Sequence, residues 1–270
     1  MPQYNESYFF SSDPAAGALN VSSDGTQFTV QLSDPLGAPS DAKACHVGVV
    51  TGSIWNNSPN IGPGLGPAGV DDNKFQYTTS TGTPGTYNIT FPTGQYSIAA
   101  ISSYLATAFV NNGHLANLFV IGGQAATGLS TLTTLTLGDT ARFEAAGSIA
   151  SILGFPAVAV VAASAGVTVY GTTQAQLNRV NTYLISSPNF IRGGIPTNAN
   201  TAGLLVAIPI TAKPGSQINY QAMNVLWTPA PDIVGKSKTN FSFRLTNEVG
   251  LPAPTAGDYW SFTIVIRYER

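Results

Sequence analysis

The segment WSFTIVIRY, residues 260–268, decides the fold class: Trp260, Phe262, Ile264 and Ile266 share one face of an extended chain, and Ser261, Thr263, Val265 and Arg267 the other. Sustained alternation with period two marks a strand that buries one face. The same pattern, bounded by Gly, Pro, Asn or Asp, recurs at Gln27–Leu32, Cys45–Thr51, Phe75–Thr79 and Thr86–Phe91. Between Arg179 and the closing strand, Val180–Ser186, Gly203–Ile210, Gln217–Gln221 and Phe241–Thr246 also read as strands. The chain is predicted to be mostly β, with strands packed as a sandwich.

The pattern changes in the middle. Ile98, Ile101, Leu105 and Phe109 recur at helical spacing and Gly113 follows, which predicts an amphipathic helix over Ser97–Val110 with Ser97 or Thr93 as its N-cap. Strands are expected at Leu118–Ile121, Leu129–Leu137, Val158–Val161 and Val167–Tyr170, with a short helix over Phe143–Leu153 that ends at the turn LGFPA. The segment Asn56–Gly69 is too rich in Gly and Pro for a ladder interior and is expected to run over a surface. A division into modules 1–175 and 176–270 follows, the first carrying both helices; one continuous or double jelly-roll unit is the alternative. FTVQLSDPLGAPS from Phe28 aligns without gaps on FSFRLTNEVGLPA from Phe241. That similarity reads either as two related sandwich modules or as the ordinary likeness of strand-turn-strand segments.

Only 9% of the 270 residues are charged, against about a quarter in soluble proteins generally, while 43% are hydrophobic. So few charges leave neutral and apolar surface that association would bury, which predicts a homo-oligomer. The formal net charge is −2, and Lys and Arg stand singly, so no basic stripe exists to follow a phosphate backbone and no direct nucleic-acid contact is expected. Lys236 and Lys238 read as a solvated loop. The uncharged stretch Ile152–Tyr170 is broken by Gly154, Pro156, Ser164 and Gly166, so no membrane span is expected. MPQYNESYFF has no basic region followed by an apolar core, so no secretory leader is expected either.

A catalytic set is not in evidence. The two histidines are His46 and His114, and His114, following Gly113, suits the end of the helix as a cap. Cys45 and His46 would face opposite sides of a strand, and one cysteine makes no intrachain disulfide. Asp71, Asp72 and Asn73 supply an incomplete oxygen set for calcium and read as a turn. The chain contains no GxxxxGK[ST], GxSxG, HExxH or CxxC motif, and its N-x-[ST] matches at Asn5, Asn20, Asn56, Asn88 and Asn240 are expected of so Asn-, Ser- and Thr-rich a composition. No enzymatic activity, cofactor or metal is predicted.

Four segments in order, FTVQLSDPLGAP, NITFPTGQYSIAAISSYLATAF, SIASILGFPA and FSFRLTNEVGLPAPTAGDYWSFTIVIRY, resemble minor capsid or penton proteins of virophages, polinton-like viruses and their larger relatives among eukaryotic double-stranded DNA viruses. The resemblance implies jelly-roll modules in a virion shell, assembled inside the host cell as pentamers or trimers that contact other capsid proteins. A small double jelly-roll major capsid protein is a rival. A viral spike or carbohydrate-binding module is another, with Tyr4, Tyr8, Trp55 and Trp227 as candidate stacking rings. For a shell subunit, intersubunit contacts are expected from the loops around Ile61–Val70 and Arg192–Ala202, with Ile61, Leu65, Val70, Arg192 and Ile195 as candidate interface residues.

Overall fold

The computed structural model describes residues 3–65, 71–161, 165–177, 180–188, 191, 203–213, 215–248, 250–253, 255 and 257–269. The chain forms two compact units, Met1–Ser58 with Val180–Arg270, and Pro59–Arg179. The first unit opens with β1 (Gln3–Ser11), β2 (Ala18–Leu19), β3 (Gln27–Leu36) and β4 (Ala44–Trp55). The second contains β5 (Lys74–Thr79), β6 (Gly85–Thr90), α1 (Ile98–Asn111), β7 (Phe119–Gly123), β8 (Leu129–Thr134), β9 (Thr140–Arg142), α2 (Ala150–Leu153), β10 (Ala159–Val161) and β11 (Thr168–Gln174). The first unit then resumes with β12 (Thr182–Ser186), β13 (Leu204–Pro209), β14 (Gln217–Gln221), β15 (Thr228–Pro229), β16 (Lys238–Asn247) and β17 (Ser261–Glu269).

In the first unit one sheet runs β1-β17-β4-β14, with β15 also on β4, and the other runs β13-β12-β16-β3-β2. Numbering its eight long strands in chain order gives sheets 1-8-3-6 and 5-4-7-2, the interleaved order of a jelly roll. The pattern that opened the sequence argument explains the core. Trp260, Phe262, Ile264 and Ile266 are all buried, and Phe262 meets Phe10 of β1 at 5.6 Å and Phe243 of β16 at 5.0 Å between ring centroids. Phe28 stands edge-on to Trp260 at 4.9 Å, whose indole N–H donates to the Gly25 carbonyl at 2.9 Å. Each such aromatic contributes about 1.5–3 kcal/mol by leaving water.

The inserted unit has its own core. One sheet runs β10-β9-β5-β6 and another β11-β8-β7, with α1 packed beside β7. Ile101, Leu105 and Phe109 turn one face of α1 inward, and Phe109 meets Phe75 and Phe119 at 6.2 and 5.9 Å. Ser97 is the N-cap, its hydroxyl accepting from the Ala100 amide at 3.1 Å; at the other end Gly113 adopts φ +81° and the His114 amide donates back to the Phe109 carbonyl at 2.9 Å.

Four expectations change. A cut at residue 175 does not separate two modules: residues 1–58 and 180–270 share one sandwich because β17 lies between β1 and β4. The alignable segments from Phe28 and Phe241 are not repeats of a module but neighbouring strands, β3 and β16, with Phe28 opposite Phe243. The expected helix over Phe143–Leu153 shrinks to Ala150–Leu153, because Gly147 takes φ +78° and Ile149 donates from its amide to Lys74 of β5, leaving the helical path. The sequence pattern begins its strands at Gln27, yet Gln3–Ser11 form β1, paired with β17 along its whole length.

Candidate assembly surfaces

On the outer face of the β1-β17-β4-β14 sheet the polar sides of the strands lie together. Thr263 sits between Phe9 and Thr51, and Ser261 between Ser11 and Ser53. A shallow groove of about 390 Å³ runs there, lined by Phe9, Thr51, Ser53, Asn219, Gln221 and Ser261. Phe9 is 64% exposed. Between β14 and β15, both paired to β4, the chain passes close over Gly48: a Cβ there would meet Val225 Cγ1 at 2.2 Å. The crossing leaves Met223 and Leu226 standing in solvent. Exposed apolar side chains on an otherwise weakly charged surface are the raw material of association.

Three of the four rings that suggested sugar stacking are otherwise engaged. Tyr4 stacks on Tyr268 at 5.3 Å, and the Arg267 guanidinium lies 4.2 Å over the Trp227 ring. The Tyr8 hydroxyl donates to Glu6 at 2.6 Å, while Trp55, the last residue of β4, stays exposed. Burial first, and then the Glu6 carboxylate as acceptor and as charge, push the Tyr8 phenol far above its ordinary range. Burial also raises the Cys45 thiol, to about 11, with the Glu6 charge as a second cause.

Of the candidate interface residues, Ile61 is fully buried in the core of the inserted unit, where its amide and carbonyl pair with Gly94. Burial removes it from any intersubunit contact. Leu65 is half-buried, and Val70, Arg192 and Ile195 lie outside the described residues. The loop start is not purely surface either: Asn56, Ser58 and Asn60 are buried, and Ser58 meets the Tyr183 hydroxyl at 2.9 Å. Asp71 acts as a turn residue, its carboxylate accepting from the Gly64 amide at 2.9 Å, and the Asn73 side chain donates to the Phe91 carbonyl. Lys236 reaches Asp232 at 3.4 Å on the surface, and Lys238 opens β16.

The His114 cap is made by its backbone. The ring is buried edge-on to Tyr87 and Tyr77 at 4.7 and 5.7 Å. His46 faces away from the core that holds Cys45. Among the described residues no three His, Cys, Asp or Glu side chains are grouped to hold a metal ion, and no helix is long and apolar enough to cross a membrane.

No family model matches the chain, and no curated protein matches it. Among solved structures, the crystal structure of the selenomethionine-labelled mavirus penton protein superimposes with a TM-score of 0.55 at 10% identity, over 100% of both chains. The shared fold therefore takes in the inserted unit as well as the jelly roll.

Proposed function

We propose that the chain is a structural subunit of a viral capsid, of penton or minor capsid type, that acts by self-assembly and by contact with neighbouring capsid proteins in the virion. The observation that carries this reading is the full-length likeness to a penton protein, which extends from the jelly roll through the unit inserted between β4 and β12. The chemistry of the surface agrees. A chain with 9% charged residues and a sheet face bearing Phe9, Met223 and Leu226 is suited to broad neutral contacts. In this reading the loops from Leu65 to Val70 and around Arg192 and Ile195 touch neighbouring subunits. Among the described residues the chain holds one jelly roll, which favours a penton or minor subunit over a double jelly-roll major capsid protein.

Light scattering of the purified protein with negative-stain class averages tests the proposal. A five-membered ring supports the penton role and a trimer a capsomer or spike. A stable monomer at high concentration overturns self-assembly.

A further inference from the structure

We infer that the open edge of β1 is a docking site for an extended, proline-free segment of a partner protein that carries a lysine or arginine opposite Glu6. Natural sheets protect their outer strands with Pro, Lys, bulges, inward-pointing charges or shortness, because an unpaired row of N–H and C=O groups templates further pairing. Two of the other outer strands of the jelly roll follow that rule: β13 ends in Pro209, and β2 has two residues. β1 is guarded by one charge alone, Glu6, on the face it shares with Tyr8 and Phe10. The strand runs nine residues, QYNESYFFS, in unbroken register with β17, without Pro, Lys or bulge, and no described strand pairs with its other side. At about 3.4 Å per residue its open edge is about 30 Å long.

The register fixes which groups the edge presents. Ser12, one step beyond β1, donates from its amide to the Trp260 carbonyl at 2.9 Å, in line with the pairing of Phe10 to Phe262. In an antiparallel ladder alternate residues bond to the same neighbour, so Phe10, Tyr8, Glu6 and Tyr4 bond to β17. The N–H and C=O groups of Asn5, Ser7 and Phe9 therefore point outward, where an added strand would meet them.

Side chains choose the occupant. Glu6 lies on the same side of the strand as Tyr8 and Phe10, and its carboxylate accepts the hydroxyls of Tyr8 at 2.6 Å and Tyr268 at 3.3 Å. It has no cationic partner among the described residues. A second copy of β1 would bring another Glu6 and no Lys or Arg to that edge, so pairing between copies sets carboxylates together without compensation. A partner strand with a cation at this position supplies the missing charge, and an apolar residue on its other face would lie beside the exposed Phe9. Edge addition needs only the jelly roll, so its failure leaves the capsid proposal standing.

The probe is a nine-residue peptide alternating Thr and Val with one central Lys, compared with the same peptide bearing Glu in place of Lys. Amide exchange is followed by NMR on the full chain. The Lys peptide is expected to slow exchange at Asn5, Ser7 and Phe9 and to bind several-fold more tightly than the Glu peptide, a preference that Glu6→Gln removes. Ser7→Pro, which deletes an outward N–H and is tolerated on an edge, is expected to abolish binding while the exchange protection of β17 persists. Two results overturn the inference: no protection of these amides by the Lys peptide, or protection that depends on protein concentration alone and so reveals a second copy on the edge.

Discussion

The side-chain amide of Asn60 donates to the Leu177 carbonyl at 2.9 Å, so the first and last turns of the inserted unit are tied to each other. The same amide donates to the Tyr96 carbonyl at 2.8 Å, and its oxygen accepts from the Tyr96 N–H at 2.8 Å. One buried residue thereby satisfies three backbone groups, two of Tyr96 ahead of α1 and one of Leu177 where the chain leaves the unit. Residues 59–179 expressed alone are expected to fold cooperatively. Asn60→Ala, which leaves those groups without partners, is expected to cost about 3 kcal/mol, measured by urea unfolding of the isolated unit.

Gly154 supplies a second test within the same unit. It closes α2 at φ +75°, and an added Cβ would sit 2.1 Å from the Thr173 carbonyl oxygen. Its own carbonyl receives the Thr172 and Thr173 amides at 2.8 and 3.1 Å. Gly154→Ala combines a disfavoured backbone with a clash against a strand that cannot retreat without losing those bonds. A loss of about 2–4 kcal/mol in urea unfolding of the full chain is expected.

What the sequence made legible were elements whose burial has one period. The closing strand, α1 and its Ser97 cap could be read because Trp260 to Ile266 and Ile101 to Phe109 place apolar residues at regular spacing. β1 escaped because its inward face is Tyr4, Glu6, Tyr8 and Phe10, a charge among aromatics, with Phe9 adjacent and outward. The jelly roll itself was not legible from pattern: strand order depends on pairing between residues as distant as Gln3 and Glu269, which no local spacing encodes. For the same reason the similarity of the Phe28 and Phe241 segments could not distinguish a repeat from two paired strands. The candidate surface was the least legible, since an apolar residue in a Gly- and Pro-rich loop looks alike whether it faces a neighbour or the core.

Ile61 shows that difference in energy. It is fully buried, so Ile61→Ala should act as a core truncation, costing about 3 kcal/mol of unfolding free energy while subunit mass by light scattering stays the same. Leu65→Ser, at a half-buried site in the same loop, is expected to cost clearly less in stability and to weaken assembly. If Ile61→Ala changes the oligomer without changing stability, its assignment to the core is wrong.

Cys45 connects burial to pH. Its thiol lies in the jelly-roll core, and loss of hydration, with the Glu6 charge as a lesser cause, raises its folded-state value from 9.0 to about 11. A raised value means that the folded chain holds the proton after the unfolded chain has released it. The contribution to stability is therefore complete below the unfolded value and is lost as pH rises from 9.0 to about 11. Tyr8 is raised by the same kind of burial and adds to the decline at still higher pH. Urea midpoints measured across this range should fall more steeply for the natural chain than for Cys45→Ala, the difference isolating the thiol. A thiol reagent at pH 8 should label Cys45 slowly in the native protein and readily in urea, since the thiolate is the nucleophile and is scarce in the folded state. Rapid labelling of the native chain, or equal slopes for the two proteins, would show that Cys45 is solvated.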